Sequence, residues 1–150
     1  MSDLGDLYQQ VILDHNQKPR NYHALGNGAR RADGHNPLCG DRLTLYLDVR
    51  DGVVQDVGFQ GSGCAISKAS ASMMTDAVKG HSAEDAVALF RVFHDLVTGA
   101  PGANADDPRL GKLVVFAGVR DYPVRVKCAT LAWHTLRAAL DNRDDVASTE

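Results

Sequence analysis

The sequence predicts an α+β fold in which a small antiparallel sheet packs against several helices. Apolar and polar residues alternate over residues 43–49, with the two-residue period of a half-buried strand. Residues 53–60 return as a second strand, with the apolar residues Val54, Val57 and Phe59. Asp51-Gly52 lies between the two stretches and is a strong signal for a tight hairpin turn. Apolar residues at helical spacing precede and follow this hairpin, which predicts helices on both sides of it in the chain.

The first helix is predicted over residues 3–17, where apolar residues recur at helical spacing: Leu4, Leu7 and Val11. Pro19 ends this helix because a residue before proline avoids helical backbone angles. His15 lies near the helix C-terminus, and we expect it to face solvent. Residues 21–35 are rich in Gly, Asn and Arg without apolar periodicity, and we interpret them as a surface loop.

Three further helices are expected, over residues 65–79, after the N-cap Ser82, and over residues 124–142. The apolar stretch 110–119 fits either a short helix or a strand. We expect the polar tail, residues 143–150, to be frayed. The length suits one domain spanning residues 1–150.

Composition narrows the class of protein. The formal net charge of −3 argues against general nucleic-acid binding. No apolar run approaches the roughly 20 residues that cross a bilayer, and residues 1–10 are too polar for a secretory signal. We therefore expect a cytoplasmic protein without a membrane partner. Three cysteines make an odd number for a disulfide framework, so metal binding, catalysis or simple burial remain open for them.

The most informative stretch is Asn36-Pro37-Leu38-Cys39-Gly40-Asp41. If it is extended, the thiol of Cys39 and the carboxylate of Asp41 point the same way, and two such groups repel each other unless a cation lies between them. This stretch leads into the first hairpin strand, and the second strand leads to Cys64, so the hairpin brings the three residues together. Cys64 also lies near a helix N-terminus, where the helix dipole favours a thiolate.

Cys128 is the remaining candidate ligand for such a cation. Thiolates select soft or borderline metals, and Zn²⁺ commonly takes four ligands of this kind. The spacings between the cysteines match no generic zinc finger, so spacing alone leaves a metal site and three unrelated cysteines both open. No histidine stands beside a cysteine. Arg125 and Lys127, just before Cys128, would offset the negative charge of the ligands.

Three motifs resemble those of a known family: Asn36-Pro37-Leu38-Cys39-Gly40-Asp41, Gly61-Ser62-Gly63-Cys64-Ala65-Ile66-Ser67 and Val126-Lys127-Cys128-Ala129-Thr130-Leu131-Ala132-Trp133. They look like the three cysteine motifs of the IscU/NifU-N superfamily of iron–sulfur assembly proteins. The first helix is similar too, and the resemblance covers roughly residues 4–140. Lys127 replaces a histidine of IscU scaffolds, and the segment between Cys64 and Cys128 is longer, which matches the SufU branch.

The resemblance implies an IscU/SufU-like fold, with the hairpin plus a further strand. It also implies Zn²⁺ held by Cys39, Asp41, Cys64 and Cys128, and sulfur accepted from a SufS-type cysteine desulfurase. Cys39 corresponds to the acceptor, which leaves the metal on docking and attacks the partner's persulfide, and Arg125 corresponds to an interface residue. Downstream iron–sulfur assembly proteins would receive the sulfur.

Two other readings of these residues remain open. The same ligands could hold iron, which would make the protein a scaffold for building and transferring a [2Fe–2S] cluster. The site could also be a purely structural zinc site, in which case the protein should unfold when the metal is stripped.

Overall fold

The computed structural model describes residues 3–26, 28–101, 103, 105–141 and 147–148. The elements in chain order are α1 (Asp3–Gln17), β1 (Arg30–Asn36), β2 (Asp41–Arg50), β3 (Val53–Ser62), α2 (Ala65–Val78), α3 (Ala83–Thr98), a 3₁₀ helix (Gly111–Asp121), α4 (Pro123–Leu140) and β4 (Ala147–Ser148). The predicted α+β fold class is confirmed, because an antiparallel sheet packs against helices.

The sheet has the strand order β3-β2-β1-β4. Strands β1, β2 and β3 pair antiparallel, and the short β4 pairs parallel to β1. Asp51 and Gly52 have φ values of 53° and 76°, the left-handed conformation that the predicted tight turn requires. Arg42 lies opposite Ser62 in the register, so the start of β2 and the end of β3 are side by side. This register positions the candidate site.

Strand β1 corrects the predicted loop over residues 21–35, because its residues Arg30–Asn36 form the third antiparallel strand. Its buried side consists of Ala32, Gly34 and Asn36, which are small or polar and give no apolar alternation. A Cβ at Gly34 would overlap the side chain of Thr135 in α4. The strand therefore needs small residues to let α4 approach, and hydrophobic periodicity does not detect it.

The core lies between the sheet and the helices, with α4 packed on β1, β2 and α2. Trp133 of α4 is fully buried and stacks on Phe93 of α3, with ring centroids 4.6 Å apart. Its Nε1–H donates to Ser70 Oγ in α2 at 3.2 Å. Met73 and Met74 of α2 are buried. The core thus joins the sheet, α2, α3 and α4 through a cluster of apolar side chains that contains no cysteine.

Several local predictions are wrong or undecided. His15 is buried, not solvent-facing, and its Nδ1 lies 2.7 Å from Ser72 Oγ in α2. The stretch 110–119 belongs to the 3₁₀ helix and is not a strand. Within the tail, Ala147–Ser148 pairs with β1, while residues 143–146 and 149–150 lie outside the described residues. None of the helices in the described part of the chain is both long and apolar enough to span a membrane.

Candidate metal centre

The side chains of Cys39, Asp41 and Cys128 converge on one point. One potential ligand atom from each lies within 4.8 Å of the other two, and the sulfurs of Cys39 and Cys128 are 3.4 Å apart. Cys39 lies in the turn between β1 and β2, Asp41 is the first residue of β2, and Cys128 lies in the second turn of α4. Two separate parts of the chain, the β1–β2 turn with the start of β2 and the second turn of α4, therefore supply two sulfurs and one carboxylate to a single point.

A tight turn presents Cys39 at the surface. The N–H of Gly40 donates to the carbonyl of Asn36 at 2.8 Å, and Gly40 has a φ of 73°, which favours glycine. Cys39 and the preceding Leu38 are exposed, whereas Asp41 and Cys128 are buried. The site thus combines one accessible thiol with two groups that the fold encloses.

Cys64 joins this cluster through its backbone. It is the N-cap of α2, as its predicted place near a helix N-terminus requires, and its Sγ accepts from the N–H of Ser67 at 3.4 Å. Its own N–H donates to Asp41 Oδ1 at 2.9 Å. Its sulfur is not part of the group within 4.8 Å, so the geometry brings three of the four predicted ligands together and places the fourth beside them.

Asn36 is a fully buried polar residue behind these groups. Its Nδ2 donates to Asp41 Oδ2 at 3.2 Å and to Cys128 Sγ at 3.5 Å. Its Oδ1 is buried without a hydrogen-bond partner among the described residues. Sequence reasoning gave Asn36 no role. The available signal was a polar residue in the same motif as Cys39 and Asp41, at the end of a strand.

Burial and its neighbours raise the pKa of the Cys128 thiol well above its usual range. Burial is the largest cause, followed by the interactions with Cys39 and Cys64. Three thiols and a carboxylate that lie side by side cannot all ionise unless a cation offsets their charge. Two sulfurs and an oxygen within reach of one point, with a third sulfur alongside, are the donors that Zn²⁺ or iron accepts. The residues present therefore fit the metal ion that the resemblance implies.

Gly63 leaves room for the Asp41 carboxylate. A Cβ built at Gly63 would lie 2.5 Å from Asp41 Oδ1, closer than real Cβ atoms approach other atoms. The glycine directly before Cys64 is thus needed for the close approach between the end of β3 and the start of β2.

The rim of the site carries exposed apolar groups and a cation. Leu38 directly precedes Cys39, and Tyr122 and Val124 lie at the N-terminal end of α4, the helix that contains Cys128. More than half of each of these side chains is accessible to solvent (61%, 56% and 52%). Arg125 is exposed three residues before Cys128, and its guanidinium lies 5.1 Å from the centre of the Tyr122 ring. An apolar surface with one arginine beside an accessible thiol suits contact with another protein.

The fold and this site can be compared with known proteins. A family model described as the NifU-like N-terminal domain matches residues 7–129. The chain belongs to this family. The resemblance predicted from the three cysteine motifs is therefore confirmed.

Two relatives match nearly the whole chain. The zinc-dependent sulfurtransferase SufU of Bacillus subtilis (strain 168) is 43% identical over 135 residues, which cover 90% of each chain. The iron–sulfur cluster assembly scaffold protein IscU of Streptococcus pyogenes serotype M1 is 41% identical over 140 residues, covering 93% of this chain and 86% of that protein.

A solved structure supports the fold. It is described as an iron–sulfur cluster assembly scaffold protein for the SUF system from Fervidobacterium islandicum AW-1. The two chains superpose with a TM-score of 0.81 at 33% identity, over 87% of this chain and 94% of the other. The IscU/SufU-like fold implied by the motifs is thus confirmed.

Proposed function

We propose that this protein is a zinc-dependent sulfur acceptor for iron–sulfur cluster assembly, which takes sulfur from the persulfide of a SufS-type cysteine desulfurase in the cytoplasm. The observation that carries the proposal is the exposed thiol of Cys39, 3.4 Å from the buried sulfur of Cys128. The similarity to the sulfurtransferase SufU over 90% of both chains supports it. Downstream iron–sulfur assembly proteins would receive the sulfur.

In this proposal Cys39, Asp41, Cys64 and Cys128 hold the zinc ion. When bound, Zn²⁺ stabilises the thiolate form of its cysteine ligands. The buried Asp41 and Cys128 stay in place because β2, α4 and their hydrogen bonds fix them. Cys39 is the ligand suited to leave, because it lies on an exposed turn, whereas Cys64, which is also exposed, is held as the N-cap of α2.

The chemical step is a thiol exchange. The Cys39 thiolate attacks the outer sulfur of the partner's cysteine persulfide. A new S–S bond forms at Cys39 while the persulfide's S–S bond breaks, and its electron pair leaves on the partner's cysteine as a thiolate. Cys39 then carries the persulfide. The exposure of Cys39 allows the nearly linear approach of three sulfurs that this exchange needs.

Arg125 and its apolar neighbours would dock the desulfurase. Arginine is enriched at protein interfaces because its planar guanidinium pairs with carboxylates and stacks on aromatic rings. Arg125 already lies against Tyr122, so less conformational freedom is lost when a partner binds. We propose that this rim aligns the partner's persulfide with Cys39.

A [2Fe–2S] scaffold is the second candidate function, because the same ligands can hold iron and an IscU scaffold is 41% identical to this chain. Lys127 weighs against the scaffold function. The residue directly before the third cysteine is a histidine in the IscU scaffolds that this chain resembles, and it is Lys127 here.

The two functions are separated by metal analysis combined with a desulfurase assay. We expect purified protein to be colourless with about one zinc per chain, the number that one four-ligand site holds. We also expect it to accelerate cysteine turnover by a SufS-type desulfurase, and Cys39→Ala to abolish the acceleration. Brown, iron-loaded protein that leaves the desulfurase unaffected would favour the scaffold.

A further inference from the structure

We infer that Asn36 is a positioning residue of the metal centre, whose side-chain amide fixes Asp41 and Cys128 relative to each other. This inference rests on the proposed metal site and adds a residue outside its four ligands. Asn36 is the last residue of β1 and pairs with Asp41 across the register, so the backbone holds the amide behind the cluster.

The contacts of Asn36 join two ligands that are distant in the chain. Its Nδ2 donates to Asp41 Oδ2 at 3.2 Å and to Cys128 Sγ at 3.5 Å. The other oxygen of Asp41 accepts from the backbone of Cys64. Both carboxylate oxygens are therefore held, which prevents rotation of the carboxylate while each oxygen retains a lone pair for a metal.

The orientation of the amide follows from its neighbours. A carboxylate oxygen and a sulfur both accept, so the NH₂ group and not the oxygen must face them. This orientation leaves Asn36 Oδ1 buried without a partner among the described residues. A buried acceptor without a donor is unfavourable. The amide orientation of Asn36 is therefore set by its contacts with Asp41 and Cys128, at the cost of an oxygen left unpaired in the described part of the chain.

The Asn36 amide contacts two of the proposed ligands and leaves Cys39 free to move. The amide contacts Asp41 and Cys128, whereas the described side-chain hydrogen bond of Cys39 is with Cys128. Departure of Cys39 breaks no contact of the amide. Asn36 therefore keeps Asp41 and Cys128 in place while Cys39 reacts, and its loss should weaken metal retention.

Two variants separate this role from simple packing. Asn36→Leu keeps the volume of the side chain and removes the amide, whereas Asn36→Ala removes both. His35→Ala is the matched control, because His35 is the neighbouring β1 residue and lies on the other face of the strand. Affinity for Zn²⁺ is measured by competition with a chromogenic chelator. The visible spectrum of Co²⁺ bound in place of Zn²⁺ reports the ligand geometry, and circular dichroism of metal-free protein reports folding.

We expect both Asn36 variants to bind Zn²⁺ about 10- to 100-fold more weakly, as is typical when a group that orients metal ligands is removed. Their Co²⁺ spectra should differ from that of the unmodified protein, whereas His35→Ala should match it. Unmodified affinity in both variants would overturn the inference. So would unmodified affinity in Asn36→Leu alone, since packing would then explain the loss in Asn36→Ala. Failure of the unmodified protein to bind Zn²⁺ would instead overturn the proposed function, and this inference with it.

Discussion

The carboxylate of Asp41 accepts a hydrogen bond from the backbone N–H of Cys64 at 2.9 Å, across the open end of the β2–β3 hairpin. This bond connects the first residue of β2 to Cys64, the N-cap residue of α2. Asp41 is fully buried, so its acceptors must be satisfied inside the protein. The Asp41 carboxylate therefore links the start of β2 to the residue that follows β3, and it also contributes an oxygen to the candidate metal centre.

Gly63→Ala should disrupt this contact. The new Cβ would lie 2.5 Å from Asp41 Oδ1, so either the carboxylate or the end of β3 must move. We expect the free energy of unfolding to fall by about 1–3 kcal/mol, the usual cost of overpacking, and zinc affinity to fall with it. Urea unfolding and chelator competition measure the two effects.

Gly118→Ala is the control for that substitution, because a Cβ at Gly118 meets nothing within 4 Å. It should leave zinc affinity unchanged and should not lower the free energy of unfolding, because alanine is more favourable than glycine in a helix. Equal behaviour of the two variants would mean that the space beside Asp41 is not needed.

Arg125→Ala should weaken binding of the desulfurase while zinc is retained. Arg125 is exposed on the rim and makes no described contact with the ligands, so its loss removes an interface group only. We expect the Kd of the complex to rise about tenfold, the size of a moderate interface hot spot. Calorimetric titration measures the Kd. Arg91→Ala, at an exposed position of α3, is the control. Loss of zinc in Arg125→Ala would show a structural role instead.

Removal of the metal should leave the protein folded. The apolar cluster that joins the sheet, α2, α3 and α4 contains no cysteine, so we expect the fold to form without a bound ion. We expect the far-ultraviolet circular dichroism to persist after zinc is stripped, while stimulation of the desulfurase is lost. Cooperative unfolding on chelation would favour the structural zinc site and contradict the proposed sulfur acceptor.

His134 should make stability depend on pH. Burial, and secondly His94, lower the pKa of His134, whose ring packs 5.4 Å from the Phe90 ring. The folded protein therefore favours neutral His134. As pH falls below about 6.5 the unfolded chain binds a proton that the folded chain does not, so the free energy of unfolding decreases.

His134→Gln tests this dependence, because glutamine stays neutral. Unfolding in urea at about pH 7.5 and about pH 5.5 should show a smaller loss of stability in this variant than in the unmodified protein. The same substitution at the exposed His81 should leave the loss unchanged. Identical losses in all three proteins would exclude His134 as a cause. Burial also lowers the pKa of His15, so we expect His15 to contribute to the dependence that remains.

Much of the fold follows from local sequence patterns. The hairpin turn at Asp51-Gly52 has the predicted conformation, and Ser82 caps α3 by accepting from the N–H of Asp85 at 3.0 Å. Strand β1 was missed because close packing against α4 selects small side chains there, such as Gly34. His15 was misplaced because its burial depends on contact with Ser72, which is 57 residues away in the chain.

Local sequence patterns predict part of the candidate metal centre. The hairpin register that brings Cys64 to Asp41 can be inferred from two strands and one turn. Nothing local links Cys128 to them, because its position depends on how α4 packs on the sheet. The cysteine motifs supplied that link through family resemblance. The contact of Asn36 with Cys128 could not be inferred from the sequence, since the two residues are 92 positions apart.

The most direct test of the proposed sulfur acceptor is to locate the transferred sulfur. Zinc-loaded protein is incubated with a SufS-type desulfurase and cysteine, its thiols are blocked, and its peptides are analysed by mass spectrometry. We predict that the mass of one added sulfur atom appears on the peptide containing Cys39 and not on those containing Cys64 or Cys128. Sulfur on another cysteine, or none on Cys39 while the desulfurase turns over, would contradict the account.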